Sequence, residues 1–413
     1  SAFTFCCGFK VNFGEYKLMG LAPYGKPIYV DLIKKNIVKV YKNGDYKVST
    51  KYFNFSSEKE IISQSFEDLF KVKKRNPEEK IKQIYMDIAA SVQSVTEEIV
   101  LNICKTQASI TGLKKLCLSG GVALNCVSNG NLEKEKIFDD IWVQPASGDA
   151  GCSLGAALIK TEKLNEIFSP YLGPKFSENE TDGLLKLLNL KFTKYEKFEN
   201  LVIQISKKIQ SGQIIGWFQG KMEFGPRALG NRSILANPRN ENIQSELNLK
   251  IKFRESFRPF APIILEEEVE NYFDFKIKSP YMLFTSKIKD KFRINSNFKN
   301  LEGLEKINEI NSKFPGITHV DFSSRLQTVN KKDNLKLYSL LKNFFELTEC
   351  PMLINTSFNV RSEPIVCTPL DAIKCFMNTN IDILVINDFV IEKKDVNFSS
   401  LKDINYLDQF DLD

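Results

Sequence analysis

Between Ile81 and Ile103 apolar residues fall at 81, 84, 88, 92, 95, 99 and 103, which lays one greasy stripe along a helix. The pattern then shortens. Lys115, Leu116, Cys117 and Leu118 read as a strand, and "SGGVALNC" (119–126) as the sharp turn that follows it. "DDIWVQPASGDAGCSLGAALIK" (139–160) reads as a second strand, a loop and a small-residue helix from about Ala150. Helix and strand alternate, so an α/β fold is expected. "SPYLGPKFSENE" (169–180) mixes two prolines, a glycine and charges without periodicity and reads as a linker, which sets expected domains at 1–178 and 179–413. In the second half, "QIIGWFQGKMEFGPRALGNRSILANPR" (213–239) predicts a strand running into a turn rich in Gly, Pro and Arg. Further strands are expected at 260–265, 351–355 and 383–392, with helix-like segments between them, and the lysine-rich stretch 286–312 reads as a surface excursion.

Length and composition change this picture little. At 413 residues, with 43% apolar and 26% charged positions, the chain is ordinary globular protein and too long for one small core. No run approaches the roughly 20 apolar residues of a bilayer span, and no basic-then-apolar leader opens the sequence, so a soluble, cytoplasmic protein without membrane partners is expected. The nine cysteines form no CxxC pair, which argues against a zinc site or a disulfide framework. Net charge is +6, spread without an aromatic-studded basic block, so nucleic acid is not indicated as a partner.

Candidate chemistry is bounded by the single histidine, His319, which removes the commonest general base and metal ligand from almost every position. Carboxylates, Lys, Arg, hydroxyls and backbone amides remain. Cations and small polar groups gather in three places: Lys221, Arg227 and Arg232; Lys252, Arg254 and Arg258; and "NTSFNVRSEPI" with Asn355, Ser357, Asn359 and Arg361. A planar guanidinium fork matches phosphate, and Ser hydroxyls and backbone N–H groups add short neutral donors. Surface arginines in loops are the plainer alternative. Asp149 is equally two-sided: a helix N-cap, or a carboxylate placed for a metal or a nucleotide's magnesium. His319 fits a hydrogen-bonded structural histidine better than a ligand.

Seven segments occurring in order across nearly the whole chain decide more. They are "GEYKLMGLAPYGKP" (14–27), "LSGGVALNCVSNG" (118–130), "ASGDAGCSLGAAL" (146–158), "KMEFGPRALGNRSILANPR" (221–239), "FRESFRPFAPIIL" (253–265), "THVDFSSRLQTV" (318–329) and "NTSFNVRSEPIVCTPLDAI" (355–373). Together they resemble the NodU/CmcH carbamoyltransferase family, which includes nodulation, cephalosporin and tobramycin O-carbamoyltransferases. The resemblance implies a partial actin/hexokinase-like ATPase domain followed by a YrdC-like α/β domain. It implies ATP and carbamoyl phosphate as reactants, carbamoyl-adenylate as intermediate, and a hydroxyl of a sugar or secondary metabolite as acceptor.

Carried onto this chain, it implies catalytic roles for Lys221, Arg227, Arg258 and Ser357. Cofactor contacts fall to Gly120, Gly121, Asn125, Lys252, Arg254, Arg325, Asn355, Asn359 and Arg361, and metal ligation, by iron or magnesium, to Asp149. Two departures stand out: family members carry a front segment with a histidine motif ahead of "SAFTFCCGFK", and Ser362 stands where the family has Gly. The former leaves a second expectation open, a non-catalytic chain that binds nucleotide or a partner. A tRNA-modifying enzyme is a third, suggested by fold kinship alone, and a homodimer is left open.

Overall fold

The computed structural model describes residues 1–57, 60–161, 168–294, 300–396, 402–403 and 405–410. Helix α1 (Glu15–Leu21) lies in the first segment, followed by the long helix α2 (Gln83–Thr111) where the apolar stripe predicted one. Gly112 stops α2 with a left-handed φ of 68°, a conformation glycine adopts without a Cβ penalty. Strand β1 (Lys115–Leu118), helix α3 (Cys126–Lys134), strand β2 (Asp140–Val143) and helix α4 (Ala150–Leu158) follow, and β1 and β2 form a two-stranded parallel sheet. This is the strand, turn, strand, helix order read from the sequence.

The second half is built on one mixed nine-stranded sheet. Its elements are α5 (Glu178–Leu187), β3 (Thr193–Lys194), α6 (Phe198–Gln210), β4 (Ile215–Phe218), β5 (Arg232–Ala236), β6 (Ala261–Leu265), β7 (Phe284–Lys287), β8 (Ser323–Val329), α7 (Leu335–Thr348), β9 (Met352–Ser357), α8 (Pro369–Met377), β10 (Ile383–Ile386) and β11 (Phe389–Glu392). Across the sheet the order is β3-β11-β10-β4-β5-β9-β6-β8-β7. The pairs β10–β4 and β8–β6 are parallel and the others antiparallel. Strands β4, β5, β6 and β10 are buried at every position, which is why β4, β6 and β10 read as apolar runs instead of alternating ones, while β5 opens on the buried Arg232 and Ser233. The stretch 383–392 is a hairpin instead of one strand, turned by Asn387 at φ 51°.

Two further differences have local causes. The expected linker is packed: Tyr171 donates to the Leu229 carbonyl at 3.1 Å, Gly173 donates to Met222 at 2.9 Å, and Ser177 with Glu180 forms the capping box that starts α5. The lysine-rich stretch is half-buried or exposed over most of its described length, but Ser286, Ile288, Gly303, Asn311 and Ser312 are buried. Residues 295–299 of that stretch lie outside the described residues.

Apolar packing among the described residues divides into one large cluster around the sheet, a second of first-segment residues from Cys6 to Val95, and a small third of Leu229, Ala261 and Met282. The large cluster takes in Ala123, Leu132, Ile141 and Val143, so β1, α3 and β2 pack toward the sheet. Phe257 crosses the other way, into the first-segment cluster. At Gly130 on α3 a Cβ would lie 2.2 Å from the Thr285 carbonyl oxygen of β7, so only glycine lets this helix approach the sheet edge so closely.

Candidate functional site

The turn before β5 is shaped by one buried carboxylate. Glu223 Oε1 accepts the N–H groups of Leu229 at 2.6 Å, Asn231 at 2.8 Å and Arg232 at 3.3 Å, closing residues 223–232 into a compact loop. Burial pushes the Glu223 carboxyl above the usual carboxylate range. Gly230 must be glycine: its φ is 106°, and a Cβ would meet Leu337 Cδ2 at 2.1 Å. From β9, Asn355 donates to Ala228 O at 3.2 Å and to Gln327 Oε1 at 2.6 Å, and Gln327 donates to Leu229 O at 2.9 Å. The backbone just after Arg227 is therefore fixed from two strands. Arg232 serves the same loop structurally. It is fully buried, stacked 3.5 Å over Phe218, and donates to the carbonyls of Gln219 and Asn231. Lys221 lies exposed at the start of the turn.

The second loop, 252–258, is braced by the buried Asn248, which accepts from Arg254 Nε at 2.7 Å and donates to Arg258 O at 3.0 Å. Arg254 also lies 4.9 Å over Phe260. The loop is then tied to the first segment. Lys17 pairs with Glu255 at 3.2 Å, Tyr24 donates to Phe257 O at 3.1 Å, and Arg258 sits 4.8 Å over the Tyr16 ring while pairing with Glu255 at 3.5 Å.

Lys252 reaches into the third loop, donating to Ser357 O at 2.7 Å, Ser357 Oγ at 3.2 Å, Asn359 O at 2.8 Å and Asn359 Oδ1. Ser357 Oγ donates in turn to Asn359 Oδ1 at 2.7 Å. The Arg361 N–H donates to Lys252 O at 2.9 Å, and Ser362, the residue in place of the family's Gly, takes a left-handed φ of 53° that a Gly would hold without strain.

These loops bring four arginines together. Arg227, Arg254, Arg258 and Arg325, the last from β8, act on one another's charges, with Tyr16 beside them. Burial, then Arg325, depresses Arg227 to about 9, which still leaves it a cation at neutral pH. Burial, then Arg258, holds Arg254 well below its ordinary value, and burial also lowers Arg325. Burial, then Arg254, lowers Lys252. Arg227 Nε, Arg325 Nε and Arg361 Nε are buried without a hydrogen-bond partner. Unpaired donors inside a crowd of like charge are costly unless an anion completes them.

The first-half candidates look different. Gly120 (φ 96°) donates its N–H to Ser147 O at 2.7 Å, and a Cβ at Gly120 or Gly121 would meet nothing within 4 Å. The turn is exposed. Asn125 is occupied as the N-cap of α3, accepting from Ser128 N at 3.1 Å, and exchanges two hydrogen bonds with Gln93. Asp149 sits at the N-cap position of α4 but makes no capping hydrogen bond, and its side chain is exposed. Among the described residues no group of three or more His, Cys, Asp or Glu that could hold a metal ion comes together, at Asp149 or elsewhere. His319 is buried, 3.7 Å from Asp321 and edge-on to Tyr24 at 5.2 Å.

Residues 1–158 match the family model described as carbamoyltransferase N-terminus, and residues 206–393 that described as carbamoyltransferase C-terminus. The chain belongs to the carbamoyltransferase family. An uncharacterized protein of Synechocystis is 47% identical over all of this chain and 69% of its own length. Nodulation protein NolNO of Sinorhizobium fredii is 36% identical over 92% of this chain and 53% of its own length. Nodulation protein NolO of Bradyrhizobium diazoefficiens is 36% identical over 92% of this chain and 66% of its own length. This carbamoyltransferase-family chain thus spans from about half to about two thirds of the length of these relatives. Full-length HypF in its phosphate- and nucleotide-bound form superposes on 46% of this chain and 25% of its own at 18% identity, with a TM-score of 0.29, which is too low to support an argument.

Several residues that shape these arginine-bearing loops escape inspection of the sequence. Tyr16 and Lys17 lie in "GEYKLMGLAPYGKP", a segment that matches the family but names no chemistry by its composition. Glu223, Asn248, Glu255 and Gln327 are brace residues whose partners only the fold supplies. The Lys17–Glu255 contact spans 238 positions, and no local pattern could signal it.

Proposed function

We propose that the arginine cradle binds the phosphates of ATP and carbamoyl phosphate, and that the chain carbamoylates a hydroxyl of a sugar or secondary metabolite by way of carbamoyl-adenylate. The observation that carries this reading is the set of buried, unpartnered guanidinium nitrogens on Arg227 and Arg325 within a like-charged cluster. Polyphosphate is the common ligand that offers several anionic oxygens to such a set at once.

In this reading carbamoyl phosphate loses phosphate to water and leaves carbamate. A carbamate oxygen displaces pyrophosphate from the α-phosphorus of ATP, and the acceptor hydroxyl then displaces AMP from the carbonyl, its proton passing to solvent. Arg227, Arg254, Arg258 and Arg325 hold and neutralise the phosphate oxygens. Lys252 fixes the Ser357–Asn359 loop, whose hydroxyl and amide, with Arg361, complete the wall, and Asn355 keeps Arg227 in place. Lys221, at the exposed rim, guides the anions in.

Residues 179–413 act in this scheme as the YrdC-like adenylate-forming half. Residues 1–178 act as the actin-like transfer half, with Gly120, Gly121 and Asn125 facing the intermediate and Asp149 offering a ligand to a divalent ion. These are functional halves whose packing is shared. A second reading is nucleotide binding without turnover. The two are separated by incubating the chain with ATP and carbamoyl phosphate. Carbamoyl-phosphate-dependent pyrophosphate release is the expected result, and tight ATP binding with no release points to the second reading.

A further inference from the structure

The last matched family residue is 393, yet the described residues beyond it reach back to the third anion loop. Tyr406 is 6% exposed and its hydroxyl donates to Glu363 Oε1. The other oxygen of the same carboxylate accepts the Val360 N–H at 2.7 Å, and the Glu363 carbonyl accepts from Asn359 Nδ2 at 2.6 Å. Asn359 is in turn the residue that Lys252 and Ser357 grip. A continuous chain of hydrogen bonds therefore runs from the tail to the loop bearing Ser357, Asn359 and Arg361. The tail is held where it does this: Phe410 packs edge-on to Tyr406 at 5.4 Å, Leu407 and Phe410 lie against the main core, and the Asp403 N–H donates to Asn378 Oδ1 at 3.0 Å.

We propose that Tyr406 is a positioning residue of the anion site, which acts through Glu363 to hold the 357–363 loop in its binding conformation. The proposal rests on the anion-site reading of that loop. Glu363 is the intermediary, and the buried Cys375 thiol lies against both its carboxylate and the Tyr406 hydroxyl. Its carboxylate spans the gap between a tail hydroxyl and a loop amide, so freeing one end lets the other drift, whereas the Tyr406 ring contributes only packing.

The test compares the 413-residue chain with Tyr406→Phe, Glu363→Gln and the double variant. Amide exchange at Val360 is followed by NMR, and inorganic pyrophosphate affinity by calorimetry. Tyr406→Phe keeps the ring, so Val360 exchange should speed up and pyrophosphate should bind about fivefold more weakly, the scale of one neutral hydrogen bond. The double variant should be no worse than Glu363→Gln alone. Unchanged Val360 exchange in Tyr406→Phe, or effects that simply add in the double variant, would overturn the proposal. General softening of the tail also adds in the cycle and so counts against it. Exchange needs no ligand: a wild-type chain that ignores pyrophosphate contradicts the proposed function, while the exchange data still decide the role of Tyr406.

Discussion

The arginine cradle and the glycine turn are both candidate anion sites, and they are built in opposite ways. In the cradle, Asn248, Glu223, Gln327, Asn355 and Lys252 are buried and spend their hydrogen bonds on holding three loops, and Arg227 and Arg325 each keep an unfilled Nε donor. At the glycine turn the backbone is exposed, the space beside Gly120 and Gly121 is open, and the one nearby candidate ligand, Asp149, makes no capping hydrogen bond. A preorganised site has already met the cost of ordering its ligands, whereas an open turn has not. The cradle should therefore carry measurable anion affinity in this chain, and the turn should not.

The largest effect expected is on the join between the halves. Gly130→Ala pushes a Cβ into the Thr285 backbone and should cost about 3 kcal/mol or more in denaturant unfolding, because neither backbone can yield cheaply. Lys17→Met removes the buried partner of Glu255, which keeps its pairing with Arg258. It should lower stability by about 1–2 kcal/mol, and it should also weaken pyrophosphate binding, since the loop carrying Arg254 and Arg258 loses its anchor. If Lys17→Met unfolds more easily but binds pyrophosphate as before, the anchor is structural only and the cradle belongs wholly to the second half.

Arg325→Met should separate binding from stability. Removing a buried cation from a like-charged crowd should raise the melting temperature while pyrophosphate affinity falls by about 1.5–3 kcal/mol, the range of a charge-assisted hydrogen bond. A lower melting temperature with unchanged affinity would make Arg325 a packing residue. The smallest effects belong to the turn: Gly121→Ala and Asp149→Asn should each leave unfolding within about 0.5 kcal/mol of wild type and pyrophosphate affinity unchanged. A clear loss of pyrophosphate binding in either would mean that the two regions form one site.

The contrast also shows what the sequence can carry. Helix α2, strand β1 and the glycine turn are legible because their signals are local: a helical apolar period, a short apolar run, two glycines. The arginine-bearing turns are legible for the same reason, as Gly, Pro and Arg following strands. Their assembly into one cradle is not, because Arg227, Arg254 and Arg325 come from separate loops and strands that only the sheet order β5-β9-β6-β8 brings side by side. Arg232 shows the cost of reading by type alone: it shares a turn with Arg227 but is fully buried in backbone carbonyls and an aromatic face. Lys252 is similar, its ammonium turned to Ser357 and Asn359.

The central claim, that the arginine cradle is a polyphosphate site, is tested most directly by calorimetric titration of pyrophosphate into the wild-type chain and Arg227→Ala. Arg227 has an unfilled buried donor and its backbone is held independently by Ala228 and Leu229, so its removal should leave the fold intact. The account predicts saturable wild-type binding that weakens at least roughly tenfold in Arg227→Ala with a melting temperature no lower than that of the wild type. Equal affinity in both proteins, or no binding to the wild type, would contradict it.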